Sequence, residues 1–242
     1  MSAEQRVTQP RLIKSFSHRD AARRGEVRLP ASLAVVLAAV SHALLPNSLL
    51  VEPRWLLSSV EIALLVPLVA INPTRMTNET RWSRNMGLLL TGVVIVTNLI
   101  ALSFLLRNLA TAHITNGREL LLAALQVWLT NIVAFALVFW DLDRGGAVAR
   151  LPASDVPARR ADFLFPQDSE PVAKMALGTD GDASWIPVFV DYLFVSITNS
   201  TAFSPTDTMP LTSRAKLLMS LQALAAMITS LLVIARAVNV LK

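Results

Sequence analysis

Apolar residues fall in five long runs, Ala31–Leu50, Trp55–Ile71, Met86–Leu106, Leu120–Trp140 and Leu217–Ala235. A helix rises about 1.5 Å per residue, so crossing a hydrocarbon core of about 30 Å takes roughly 17–25 mostly apolar residues. The last three runs meet this length. The first is interrupted by Pro46, and the second is short and contains Glu61 and Pro67. The tight connection from Asn47 to Arg54 makes these two a helical hairpin. A sixth run, Pro187–Ser200, has 14 residues. As a helix of about 21 Å it is too short to cross, and it suits a re-entrant element. The pattern predicts an all-α integral membrane fold: five transmembrane helices plus one re-entrant pore helix before the last span.

Three regions follow from this order. Residues 1–29 form a basic cytoplasmic tail, and residues 30–117 a three-span membrane region. Residues 118–242 form a pore-like module: a helix, a long loop over 143–184, the re-entrant helix 187–200, a polar loop 201–212 and a last helix 213–241. Pro152, Pro157, Pro166 and Pro171 argue against a regular element in the long loop. Its apolar patch Phe163-Leu-Phe-Pro166 is expected to rest on the membrane surface or on another part of the protein. Asp141-Leu-Asp-Arg-Gly-Gly146 ends the fourth helix, with Gly145 placed for a left-handed turn. Trp55, Trp82 and Trp140 fall near span ends, where amphipathic rings favour the interface.

Composition agrees with this reading. Apolar residues make up 53% of the chain and charged residues 16%, against about 25% charged in soluble domains. That balance excludes a disordered chain and speaks against nucleic-acid binding despite the net charge of +5. Cys is absent, which removes disulfides and thiolate chemistry. No phosphate-binding loop, dinucleotide fingerprint or nucleophile elbow is present, so neither an enzyme nor a bound cofactor is expected. His18, His42 and His113 have no neighbours at ligand spacing and read as incidental.

The surplus of Lys and Arg acts as a topology signal. Seventeen of the 22 basic residues fall on the side shared by the N-terminal tail, the long loop and the start of the last helix, and five fall on the other. Basic loops stay in the cytoplasm, so the N-terminus is expected inside and the C-terminus outside a bacterial inner membrane. The N-terminal basic stretch and apolar run are expected to be retained, not cleaved as a signal peptide. The basic tail from Arg6 to Arg28 either sets topology alone or also binds anionic headgroups.

Short helix, polar loop and long helix in succession is how a pore loop is built. Non-helical backbone at membrane depth is tolerated only where protein or water covers it. Thr198-Asn-Ser-Thr-Ala-Phe-Ser-Pro-Thr-Asp-Thr-Met-Pro-Leu-Thr212 resembles the pore signature of potassium channels, typically TTLTTVGYGDITPVT. Thr198, Thr201, Asp207, Pro210 and Thr212 match it. TAFSPTD, the WDLDRGG helix end and the terminal ARAVN also resemble a bacterial family of multi-pass membrane proteins. The channel resemblance covers about residues 185–241 and implies a homotetrameric pore for ions in the lipid bilayer. The filter-like residues are then Thr198, Thr201, Ser204, Pro205, Thr206 and Asp207. Ser204 and Thr206 stand where the filter has glycines, and Pro205 where it has tyrosine. Pro fixes φ and Thr resists positive φ, so a potassium-type ladder of carbonyls is not expected. The competing reading is a turn that packs between helices, in a non-conducting assembly protein or small transporter.

Two further features bear on chemistry. Gln222, Thr229 and Arg236 recur every seven residues, with Ala226 beside them, and read either as a pore-lining face or as a helix–helix contact. Glu61 is the intramembrane carboxylate. It is either a proton or ion site, or a neutral group paired with a donor such as Asn98. Asn98 and Asn131 read as interhelical hydrogen-bonding groups.

The orientation is testable because the chain has no native Cys. Ser154→Cys and Thr179→Cys are expected to resist an impermeant thiol reagent added to intact cells and to react after lysis. Labelling of Ser154→Cys from outside would reverse the topology.

Overall fold

The computed structural model describes residues 24–44, 54–110, 117–152, 160–169, 172, 185–201 and 207–240. Six helices carry it: α1 (Leu29–Ala43), α2 (Arg54–Ile71), α3 (Arg81–Ala110), α4 (Gly117–Leu142), α5 (Phe189–Thr201) and α6 (Ser213–Val240). Three helical stretches are long and apolar enough to cross a membrane: Arg81–Asn108, Leu121–Gly145 and Ser213–Ile234, in α3, α4 and α6. The apolar helices Leu29–Ala43 and Ser58–Ile71 are shorter. Two short antiparallel pairs join the connections: β1 (Glu26–Val27) with β2 (Arg75–Met76), and β3 (Phe163–Leu164) with β4 (Met209–Pro210).

Helix α4 is the centre. Every residue from Asn131 to Phe139 is buried, the burial of a helix covered all round. One apolar cluster packs α1, α2, α3 and α4 together through Val35, Leu65, Val94 and Leu137. A second joins α3, α4 and α6 through Leu105, Val127 and Ala225. A third is aromatic and brings Phe135 and Phe139 of α4 against Phe163, Phe165 and Tyr192. Ring centroids there lie 5.1 Å apart for Phe139 and Phe163, and 5.4 Å for Phe165 and Tyr192. The apolar patch of the long loop therefore rests on the protein, not on the membrane surface.

Local chemistry sets the helix ends. Thr80 and Ser83 exchange hydrogen bonds at the start of α3: Ser83 N–H donates to Thr80 Oγ1 (3.1 Å) and Thr80 N–H to Ser83 Oγ (2.9 Å). Thr212 Oγ1 accepts from Ala215 N–H at the start of α6 (3.3 Å). Asp191 accepts from Val188 N–H (2.7 Å) and holds the entry to α5. The chain leaves α4 through Arg144, Gly145 and Gly146, with φ of 53°, 89° and 97°. Gly145 meets the left-handed requirement expected of it. At Gly146 a side chain is also barred by space, since a Cβ there would overlap the Arg84 guanidinium.

Among the described residues, the segment before α1, the turn after α2, the exit of α4 and the starts of α5 and α6 meet at one end of the bundle, here the basic end. Asp143 is fully buried. It accepts from Tyr192 O–H (2.6 Å) and from Asp162 N–H (2.6 Å), and Arg144 Nε lies 3.4 Å away. Asp162 in turn accepts from Thr212 Oγ1 (2.5 Å) and pairs with Arg214. Arg84 of α3 donates to Asp141 of α4 (2.7 Å). Arg150 donates to the carbonyl of Trp140 (2.7 Å) and stacks over Tyr192, 5.1 Å from its centroid. Glu26, from the segment before α1, accepts from Trp140 Nε1 (3.0 Å) and Phe189 N–H (2.5 Å).

Burial raises the pKa of Glu26 from its ordinary 4.5, against the opposing pull of Arg150 and the two hydrogen bonds. A raised value in the folded state favours the protonated form. Its stabilisation is complete below about 4.5 and is lost as pH rises through the folded-state value. The thermal stability of wild type minus that of Glu26→Gln, measured in detergent, is therefore expected to be greatest near pH ~4 and to shrink toward pH ~8. A difference that grows with pH would show that ionised Glu26 stabilises the fold.

Candidate functional site

Helices α5 and α6 lie side by side and run in the same direction, both starting at the basic end. Phe189 lies against Trp140, ring centroids 6.0 Å apart, and Thr212 against Asp162, so both helices start there. Helix α5 has 13 residues, about 20 Å, whereas α6 has 28, about 42 Å. The tip of α5 reaches only to the level of Met219 and Gln222, about 9–14 Å along α6.

Gln222 locks the two helices together. Its Nε2 donates to Ser196 Oγ (2.5 Å), Ser200 Oγ (2.8 Å) and the Ser196 carbonyl (3.0 Å). Its Oε1 accepts from Asn199 Nδ2 (2.8 Å), and its carbonyl accepts from Asn131 Nδ2 of α4 (3.4 Å). Ser196 Oγ then donates to the Ile132 carbonyl of α4 (2.6 Å). Three helices thus share one network, and Gln222 is fully buried.

Gln222, Ala226 and Thr229 face the interior of the chain, with exposures of 0%, 1% and 1%. Thr229 Oγ1 donates back to the Ala225 carbonyl (2.8 Å). The small residues let α6 approach α4 closely, which is the helix-contact role. The face of α6 that points outward is apolar instead: Leu217, Leu224, Leu231 and Ile234.

The filter-like residues divide. Thr198 and Thr201 donate to the Phe194 and Ile197 carbonyls of their own helix (2.8 and 3.0 Å). Ser204, Pro205 and Thr206 lie outside the described residues. Asp207 is exposed, and it does not cap the last helix, a role that Thr212 fills.

Glu61 has a different partner from the one expected. Its Oε1 lies 2.9 Å from Nδ1 of His42, the histidine read as incidental, and both side chains are fully buried. Asn98 instead bridges α3 to α4 through Thr130 Oγ1 (2.7 Å) and the Val127 carbonyl (3.0 Å). The pair sits about 20 Å along α1 from Leu29 and about 15 Å along α2 from Ile71. His42 Nε2 and Glu61 Oε2 have no hydrogen-bond partner among the described residues. Sequence spacing gave no sign of the pair, since 19 positions and a helix reversal separate the two residues. The one available signal was that each is an ionisable residue inside an apolar run.

Among the described residues no group of three or more His, Asp or Glu residues could hold a metal ion. No protein family, curated protein or solved structure matches the chain.

The Gln222 network is a stability element. Gln222→Leu keeps the volume but leaves Ser196, Ser200 and Asn199 without their partner. It is expected to cost about 2–4 kcal/mol, read as lowered thermal stability in detergent. Unchanged stability would show that the packing of α5 on α6 does not depend on this contact.

Proposed function

We propose that the protein is a small multi-pass membrane transporter whose coupling ion is a proton, carried by His42 and Glu61. In this reading five apolar helices cross a bacterial inner membrane with the basic end cytoplasmic. Helix α5 is a re-entrant element entering from that side, held in place by Gln222 and serving a structural role. The observation that carries the reading is the buried His42–Glu61 pair, with one nitrogen and one oxygen unpartnered among the described residues. Ionisable groups within membrane spans are expensive to bury and mark ion and proton pathways. Either one-proton form of the pair is neutral overall: imidazolium with carboxylate, or imidazole with carboxylic acid. A proton accepted at His42 Nε2 gives imidazolium with carboxylate. The shared proton then passes from Nδ1 to Oε1, rotation of the Glu61 carboxyl turns that O–H away from His42 so that it can be released, and His42 is left as the Nε2–H imidazole.

The helices packed against the pair set its electrostatic surroundings. Helix α3 carries Arg81 and Arg84 at its basic end and Arg107 at the other; α4 carries Asp141 at its basic end and Glu119 at the other; α5 carries Asp191 in its first turn. Among the described residues none of these shares the depth of the pair.

A second reading is an ion-conducting homotetramer with α5 and α6 at its axis. The shared starting end of α5 and α6 and the exposed Asp207 at the return favour it.

Proteoliposomes loaded with a pH dye and given an imposed membrane potential separate the two. Protein-dependent proton entry is expected, falling at least tenfold in Glu61→Gln and His42→Gln and unchanged in Asp207→Asn. Unitary currents in planar bilayers, with a cation-to-anion ratio lowered by Asp207→Asn, would instead establish the pore.

A further inference from the structure

The basic end holds a pocket between α1, α2, α3 and α4. Its mouth carries Arg28, Glu79, Arg84 and Asp141, and its depth is lined by Val35, Leu65, Leu68, Leu90 and Leu137. Polar groups occupy the rim and aliphatic ones lie two turns further in. The cavity volume is about 90 Å³, room for a short length of an acyl chain and not for a whole drug-sized ligand.

The charges at the mouth are not equivalent. Arg84 is neutralised twice, by Asp141 at 2.7 Å and Glu79 at 3.7 Å. Arg28 is not. It is half-buried, and its Nε is enclosed without a hydrogen-bond partner. Its backbone is fixed, since its N–H donates to the Thr74 carbonyl (3.1 Å). Burial with no acid beside it pulls the pKa of Arg28 below its ordinary value. A guanidinium held at the boundary of an apolar slot without a counter-charge among the described residues is open to an anion.

We infer that this pocket binds an anionic phospholipid, with the phosphate on Arg28 and part of an acyl chain in the slot lined by Val35, Leu65, Leu68, Leu90 and Leu137. The position supports a lipid over a free anion. The slot is aliphatic where a small anion has nothing to gain, and the basic end is where an anionic headgroup would lie. This inference does not depend on proton transport.

Native mass spectrometry of the full chain, delipidated in detergent and re-supplied with one lipid at a time, tests it. Wild type is expected to retain one phosphatidylglycerol and to retain phosphatidylcholine at least fivefold less. Arg28→Gln is expected to lower phosphatidylglycerol retention about fivefold, the effect of one basic residue at an anionic surface, without changing thermal stability. Val35→Phe fills the slot and is expected to lower retention with Arg28 intact. Equal retention of the two lipids by wild type, or undiminished phosphatidylglycerol on Arg28→Gln, would overturn the inference. So would displacement of the lipid by millimolar inorganic phosphate alone, which would make this a free-anion site.

Discussion

The buried carboxylate of Asp143 sits where the last turn of α4, the returning loop and the first turns of α5 converge. An ion removed from water needs donors on every side, and the chain brings them from far apart in sequence. The Asp162 and Phe163 amides come from one segment, the Tyr192 hydroxyl from another, and the Arg144 guanidinium from the turn itself. Once Asp162 is fixed by its own amide, its side chain is aimed at Thr212 and Arg214, and the start of α6 is fixed with it. The pairing of β3 with β4 continues the same path, with Leu211 N–H donating to the Asp162 carbonyl (2.7 Å). The starts of α5 and α6 therefore hang from one acid. Removing that acid would leave Tyr192 and two amides buried without acceptors, a loss of about 3–5 kcal/mol for a broken buried pair.

Legibility in the sequence followed the range of the interaction. The three long apolar helices were visible because a run of apolar residues is a local property. The short helix before the last span was visible from its length and polar sequel, and Gly145 from its position after the fourth run. What spacing could not give was direction and partner. The seven-residue recurrence of Gln222 and Thr229 fixes a shared face, but nothing local says whether that face meets water or α4. His42 and Glu61 each look anomalous alone, and only the packing of α1 on α2 makes them a pair. Asp143 was read as part of a helix end. Its role depends on Tyr192, 49 positions away, and Glu26 meets Phe189 across 163. Such contacts leave no periodic trace.

The buried polar groups differ in whether their networks close, and the difference separates scaffold from site. Around Gln222 the donors and acceptors of Ser196, Ser200 and Asn199 are matched, so the network resists change and confers rigidity. Arg150 has one unpartnered Nε, but two of its nitrogens are engaged and its plane lies over Trp140 and Tyr192. The spare carbonyl oxygens of Asn98 and Asn131 belong to neutral amides whose Nδ2 groups are bonded. These are tolerable costs of a packed bundle.

The His42–Glu61 pair and Arg28 are of another kind. Each is ionisable and has an enclosed atom with no partner among the described residues; Arg144 and Arg150 share that feature but pair with Asp168 and Glu26. Neither open valence is needed to hold the helices, because Ser58 already ties α2 to the Ala39 carbonyl of α1 (2.8 Å), and Asn72 builds the turn after α2. They also lie along one path. Leu65, in the wall of the pocket below Arg28, is one helical turn from Glu61, and Val35 is two turns from His42. Both unsatisfied sites belong to the α1–α2 region, with Arg28 immediately before α1. Unsatisfied buried groups are costly unless something outside the chain completes them. In the proposed function the complement of the imidazole–carboxylate pair is a proton, and in the inferred site that of the guanidinium is an anion. Under both proposals exchange with the surroundings falls to the α1–α2 region, and α4 with α5 and α6 supplies the frame against which those two helices pack.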